Sequence, residues 1–204
     1  MGILTPENRE VAYEIIKRYP MPSSATIPLL HLVQEQEGWI PPEGIEEVAE
    51  LVGSTPAQVL GTCSFYEMFK RKPVGKYLIN VCTQISCMLR GADELLEHAK
   101  DRLGIEVGDT TDDGEFTLEE VECIAACTEA PCLQVNYRYF GPIDAEGLDR
   151  LIEMIRNGEL AETIPAHGVL SRVRQVIPED RRAGCPHPGG GSRPAWISED
   201  EVAR

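Results

Sequence analysis

Four of the seven cysteines in this 204-residue chain fall into two closely spaced pairs. Cys82-Thr83-Gln84-Ile85-Ser86-Cys87 is a C-x4-C pair, and Cys123-Ile124-Ala125-Ala126-Cys127 is a C-x3-C pair. Each pair follows a β-prone run and enters a loop, where backbone N–H groups are free to point at sulfur. Four thiolates satisfy a two-iron two-sulfur (2Fe-2S) cluster, two per iron, and the small residues Ser86, Ala125 and Ala126 let the backbone approach the inorganic sulfides. Amide donors at those sulfurs would offset negative charge and tune a potential. Other uses of the same thiols stay open on spacing alone. A structural zinc site also takes four cysteines, though its usual C-x2-C spacing is missing from both pairs. Two disulfides would need an oxidising compartment. Free cysteine is also a common core residue with no chemistry to do.

The remaining chemistry-bearing residues give weaker signals. Cys63, in a helical run, and Cys132, opening a strand after Pro131, read as packing residues, although Cys132 also stands where it can replace Cys127 as a ligand. Cys185 lies beside His187 in a Pro-rich stretch, and a solitary Cys-Pro-His is a poor metal site. Asp109, Asp113, Gly114 and Glu120 mimic part of a calcium loop, but Thr111 fills the third position and the flanks read as strand, so a polar turn at Asp113-Gly114 is expected instead. His31, His98, His167 and His187 are scattered along the chain. No glycine-rich dinucleotide or phosphate loop is present, and neither are the signature motifs of zinc proteases or serine hydrolases. No side chain is assigned a catalytic role.

Composition narrows the class. The chain carries 19 Lys and Arg against 34 Asp and Glu, a formal net charge of -15. A surface so acidic is unsuited to phosphate backbones, which excludes nucleic acid as the main partner. No run approaches the roughly 18 apolar residues of a membrane helix. The first twenty residues hold Glu7, Arg9, Glu10, Glu14, Lys17 and Arg18, which leaves no apolar core for a leader. A cytoplasmic, reducing location is therefore expected, and it favours metal or redox roles for the grouped thiols.

The elements that must position these thiols are legible in outline. Thr5-Pro6-Glu7-Asn8 starts a helix through Val11, Ile15 and Ile16. Ser24 is the expected cap of a second helix through Leu29, Leu30, Leu32 and Val33 to Gly38. Pro41-Pro42-Glu43 opens a third, through Ile45, Val48, Ala49 and Val52 to Gly53, and Ser54-Thr55-Pro56 opens a fourth running to about Phe65. From Lys76 the texture changes. Tyr77–Val81 reads as a strand, Gly91–Leu103 as a helix, and Phe116–Leu118, Val121–Ile124, Cys132–Asn136 and Tyr137–Phe140 as strand-like runs. A helix over Asp144–Asn157 closes the pattern. The order β, α, β, β, β, α predicts a thioredoxin-like layer fold. The chain is thus expected to be α+β: a helical bundle over residues 1–72, a thioredoxin-like α/β domain over 73–158, and a Pro/Gly-rich tail over 159–204. In residues 161–204 six basic side chains balance six acidic ones, so the whole negative charge lies earlier.

Several stretches together resemble one family: Glu37-Gly38-Trp39-Ile40, Ser64-Phe65-Tyr66, Gly75-Lys76-Tyr77 leading into Val81-Cys82-x4-Cys87, and Glu122-Cys123-x3-Cys127-x2-Ala130-Pro131 followed by Gln134-Val135-Asn136. They are similar to the E subunit of NADH-quinone oxidoreductase (respiratory complex I), a thioredoxin-like 2Fe-2S ferredoxin, over about residues 5–158. The resemblance implies one 2Fe-2S cluster per chain held by Cys82, Cys87, Cys123 and Cys127. It implies single-electron exchange with FMN in a neighbouring NADH-binding subunit, with NAD and FMN bound there and no complete active site on this chain. Partners would be that subunit and others of the peripheral arm, on the cytoplasmic side of the inner membrane. The equivalent diaphorase subunit of an NAD-linked hydrogenase or formate dehydrogenase uses the same module, and a zinc-stabilised adaptor without redox activity is the reading from a different class. The chain departs from the family at Ala125, commonly Gly, and at Cys132, usually a plain apolar position. Neither departure is expected to touch a ligand.

Overall fold

A computed structural model describes residues 2–164. Cys185, His187 and all but the first six residues of the expected 159–204 tail lie outside the described residues.

The N-terminal elements follow from their caps. Helix α1 (Pro6–Ile16) begins where the Thr5 side chain accepts the Asn8 N–H at 3.2 Å. Helix α2 (Thr26–Glu37) stops at Gly38, whose left-handed φ of 78° releases the chain. Ser24 does not cap it. The backbone makes a short 3-10 turn over Pro22–Ala25, and Ala25 becomes the residue before the helix. Helix α3 (Pro42–Val52) starts on a proline, and α4 (Pro56–Phe65) starts on a reciprocal Thr55–Gln58 capping box. Their apolar faces meet in one cluster that includes Leu29, Leu30, Val33, Val48, Val59 and Phe69. The buried carboxylate of Glu47 is satisfied on both oxygens, by the Arg9 guanidinium and by the Leu4 N–H at 2.8 Å.

The chain leaving α4 is held rather than loose. Buried Gln34 donates to Met68 O at 2.9 Å and accepts the Lys70 N–H at 2.7 Å, while the Ile40 N–H donates to Lys70 O at 2.7 Å. Lys70 Nζ then pairs with Glu119 on the sheet at 2.7 Å. Gly75 enters the sheet with its N–H on Thr117 Oγ1 at 2.6 Å, and a Cβ there would lie 2.9 Å from the Phe116 backbone.

The described residues hold a four-stranded sheet in the order β2-β1-β3-β4, made of β1 (Tyr77–Cys82), β2 (Phe116–Val121), β3 (Leu133–Val135) and β4 (Arg138–Phe140). β1 and β2 are parallel, with Tyr77 beside Phe116 and Cys82 beside Val121. Between them come a one-turn helix α5 (Ile85–Met88) and α6 (Ala92–Leu103), the crossover that a parallel pair requires. β3 lies antiparallel to β1, and the β3–β4 hairpin turns at Asn136 and Tyr137, both at positive φ as a two-residue primed turn demands. The expected separate strand over Val121–Ile124 is absent. β2 runs unbroken to Val121, and Glu122 already belongs to a loop, because β1 ends at Cys82 and offers no backbone partner beyond it. Helix α7 (Ala145–Arg156), capped by Asp144, packs beside α6. Alternation along β1 sends Tyr77, Ile79 and Val81 into a core with Phe116, Leu118, Leu148 and Ile152, and leaves Leu78, Asn80 and Cys82 on the other face.

Two stability outcomes follow. Phe116 is wholly buried at the centre of that core, so Phe116→Ala should cost about 3–5 kcal/mol in urea unfolding. His31 is buried against Phe69, its Nδ1 has no hydrogen-bond partner among the described residues, and burial lowers its pKa below the ordinary value. The unfolded chain therefore takes up this proton first as pH falls below about 6.5, which erodes stability. His31→Leu should flatten that acid-side loss, read as a smaller drop in urea midpoint between pH 7.5 and 5.5 than the unaltered chain shows.

Candidate metal centre

The sheet delivers both cysteine pairs to one end. Because Cys82 and Val121 are neighbours in the parallel ladder, the segments that follow them leave the sheet side by side. The Cys82 segment does not stay a loop as expected. It passes through Thr83 and Gln84 into α5, which places Cys87 on a helical turn with its N–H on Gln84 O at 2.7 Å. Gly91, at φ 93°, then starts α6.

Cys82 and Cys87 are each 2% exposed, and a third sulfur joins them. Cys132, 1% exposed, stands just before β3, and the sulfurs of Cys82, Cys87 and Cys132 all lie within 4.8 Å of one another. Cys87 Sγ and Cys132 Sγ are 3.6 Å apart. Ala92 and Ala130 complete the buried wall, with Ile124 and Ala126 packed against it. Gly141 is needed on the far side: a Cβ there would lie 2.5 Å from Glu129 O and 2.9 Å from Cys132 Cβ. Burial pushes the Cys87 thiol up, partly opposed by the Cys132 backbone N–H, which favours a thiolate. Burial pushes Cys132 up to about 12, and its bond to Cys87 adds to the rise.

Cys123 and Cys127 are placed differently. Both are exposed, in the 122–130 segment between β2 and β3. Ala125 occupies φ 62°, the left-handed region that glycine adopts freely, and its N–H donates to Cys123 Sγ at 3.4 Å. Cys127 opens a 3-10 turn over Cys127–Glu129, and Tyr139 Oη anchors the segment by donating to Ile124 O at 2.9 Å. The structure thus brings Cys82 and Cys87 together and leaves Cys123 and Cys127 on a neighbouring open segment.

Both family departures prove to touch an expected ligand, contrary to expectation: Ala125 through its amide to Cys123, Cys132 through its sulfur to Cys87. For Cys132 the available signal was its own C-x4-C spacing from Cys127, a repeat of the Cys82–Cys87 interval. Cys63 is a buried packing residue, as read.

The residues fit an iron-sulfur cluster. The buried donor set is sulfur alone, its walls are small and apolar, and backbone N–H groups reach two of the sulfurs. Thiolate donors select soft or thiophilic metals, and no carboxylate stands in this group to favour a hard cation. The apparent calcium loop is a turn, with Asp113 Oδ1 accepting from Thr111 Oγ1 at 2.5 Å and from the Glu115 N–H at 2.9 Å.

Known proteins bear on the same residues. The family model described as thioredoxin-like [2Fe-2S] ferredoxin matches residues 12–156. NADH-quinone oxidoreductase subunit 2 of Thermus thermophilus is 41% identical over 165 residues, which is 79% of this chain and 91% of that protein. The E subunit of NADH-quinone oxidoreductase from Rickettsia conorii is 40% identical over 154 residues, 74% of this chain and 92% of that protein. Among solved structures, an NAD+-reducing [NiFe]-hydrogenase in the H2-reduced state aligns with a TM-score of 0.58 at 23% identity. That alignment covers 67% of this chain and 23% of the hydrogenase chain, and it shows a shared fold.

The difference in exposure between the thiols is directly measurable. In the ligand-free chain, iodoacetamide should label Cys123 and Cys127 about tenfold faster or more than Cys82, Cys87 and Cys132, followed peptide by peptide in a mass spectrometer. Equal rates at all five would show that the three-sulfur pocket is not closed.

Proposed function

The chain belongs to the thioredoxin-like [2Fe-2S] ferredoxin family, and from that premise we propose that it is the electron-carrying E subunit of an NADH-quinone oxidoreductase. Cys82 and Cys87 from the β1 end, with Cys123 and Cys127 from the β2 end, would hold one cluster, two thiolates to each iron. The observation that carries this reading is the parallel register that sets Cys82 beside Val121, so that both pairs emerge from one end of the sheet. When bound, the cluster supplies a one-electron redox couple.

The chain's own residues supply ligation, shielding and orientation. The pocket of Ala92, Ala130 and partly buried Ala126 excludes water from the Cys82 and Cys87 sulfurs. The Ala125 and Cys132 amides direct partial positive charge at Cys123 and Cys87. The sequence carries no glycine-rich phosphate loop, so on this reading NADH and FMN would be held by a neighbouring subunit, and this chain would accept electrons from it one at a time. Among the described residues no helix is long and apolar enough to cross a membrane. The same reading gives the chain a peripheral position, on the cytoplasmic side, through partner subunits. Part of an NAD+-reducing [NiFe]-hydrogenase chain shares the fold, which keeps the hydrogenase reading as the alternative, but the relatives at 40–41% identity along most of their length favour the respiratory assignment. A boundary near residue 72 between the bundle and the cluster domain belongs to the same proposal.

One experiment tests the core of it. Reconstituted full-length protein, free of flavin, is mixed first with NADH and then with dithionite, with an electron paramagnetic resonance spectrum after each. NADH should give no signal, and dithionite should give the signal of a singly reduced cluster. Iron should be about two per chain, and each of Cys82→Ala, Cys87→Ala, Cys123→Ala and Cys127→Ala should lose most of it while Cys63→Ala keeps it. Rapid reduction by NADH alone would overturn the subunit role, and a colourless, zinc-loaded protein would establish the adaptor reading instead.

A further inference from the structure

Cys132 is a fifth sulfur at a site whose four expected ligands are already accounted for. Its position is fixed from three sides. Its carbonyl accepts the Cys82 N–H at 3.2 Å, its side chain is 1% exposed, and Gly141 leaves no room behind it, since a Cβ there would lie 2.9 Å from its own. Its side chain lies in a buried cluster with Ala92 and Ala130, whose side chains offer its proton no acceptor. What it faces is Cys87 Sγ, 3.6 Å away, within range of a sulfur hydrogen bond.

We propose that Cys132 is a tuning residue: its S–H donates to the Cys87 sulfur and raises the reduction potential of the cluster. The proposal rests on the ligand assignment above. Four thiolates fill the protein coordination positions of two irons, so a fifth cysteine has none to occupy and keeps its proton. Once Cys87 is a thiolate, the bond becomes charge-assisted, and between sulfurs this deeply buried it is stronger than the same bond in solvent. Reduction adds one negative charge to the cluster and its ligands. A donor aimed at a ligand sulfur stabilises that more negative state over the oxidised one, so the potential moves up. The plain apolar residue that the family resemblance leads one to expect at this position offers no such proton.

The test uses the full chain with its cluster loaded, in four forms: unaltered, Cys132→Ala, Cys132→Val and Cys132→Ser. Iron per chain and the midpoint potential by redox titration are read on each. Alanine and valine remove the donor, valine keeping the volume filled, whereas serine retains an O–H. Both apolar variants should keep their iron and show a reduction equilibrium constant three- to tenfold lower. Tenfold corresponds to about 59 mV for a one-electron couple. Serine should recover most of that difference. Potentials unchanged in the alanine and valine forms would overturn the proposal, as would a fall in the serine form equal to theirs, since packing alone would then account for the change. Loss of iron from both apolar variants would also overturn it, because a tuning residue leaves the cluster in place. Iron retained in Cys127→Ala in that case would make Cys132 a ligand and bring down the ligand assignment too, whereas iron lost there would leave the assignment standing.

Discussion

The candidate centre depends on the parallel ladder between β1 and β2. Six residue pairs, from Tyr77 beside Phe116 to Cys82 beside Val121, set where each strand stops and therefore where each cysteine segment begins. A slip of one residue would reverse the faces of the strand, sending Cys82 into the helix-covered core and Val81 toward the sulfurs. What resists that slip is apolar burial: Ile79, Val81, Phe116 and Leu118 are all inaccessible to solvent under α6 and α7. The hydrophobic core thus positions the sulfur site without touching it.

The sulfur pocket carries an electrostatic tension that bound metal would relieve. Three thiols are buried in small apolar walls within a chain of net charge -15, and burial disfavours the thiolate at Cys87 and, most plainly, at Cys132. Metal coordination reverses the balance, because a thiol bound to a cation gives up its proton and its charge is then shared with the metal. The structure places only part of the donor set in the buried pocket. Cys123 and Cys127 stand outside it on a segment whose sharp bend is built at Ala125, a side-chain-bearing residue in a conformation glycine would adopt more easily. That half is pinned by the Tyr139 hydroxyl on Ile124 O and by Ile124 and Ala126 packed against the pocket wall.

The helical segment is coupled to the sheet by polar contacts that are unusually well satisfied. Gln34 uses both ends of its amide on the chain leaving α4, and Lys70 carries the connection onward to Glu119 in β2. Tyr137 in the hairpin turn adds a long bond from its hydroxyl to Met68 O at 3.4 Å, and burial raises its pKa well above the usual range. Lys70 and Glu119 are mostly buried, so removing either would strand the other charge, a larger cost than the pair's net contribution.

Much of this was legible in the residues, for physical reasons that can be named. Caps, prolines and glycines mark local backbone chemistry, so the starts at Thr5, Pro42 and Thr55 and the stops at Gly38 and Gly53 are where the pattern puts them. Ser24 is a plausible cap by type, but a 3-10 turn that begins two residues earlier at Pro22 takes it up, and a cap depends on the backbone it sits in. Strand-like composition at Val121–Ile124 was misleading because a strand needs a neighbour, and β1 had already ended. The spacing of the two cysteine pairs declared sulfur chemistry, since C-x4-C and C-x3-C are properties of the chain itself. Which sulfurs are buried, and which stand 3.6 Å apart, was decided by tertiary structure alone. Cys87 and Cys132 are 45 positions apart in sequence, and only a parallel crossover followed by an antiparallel return brings them into one pocket.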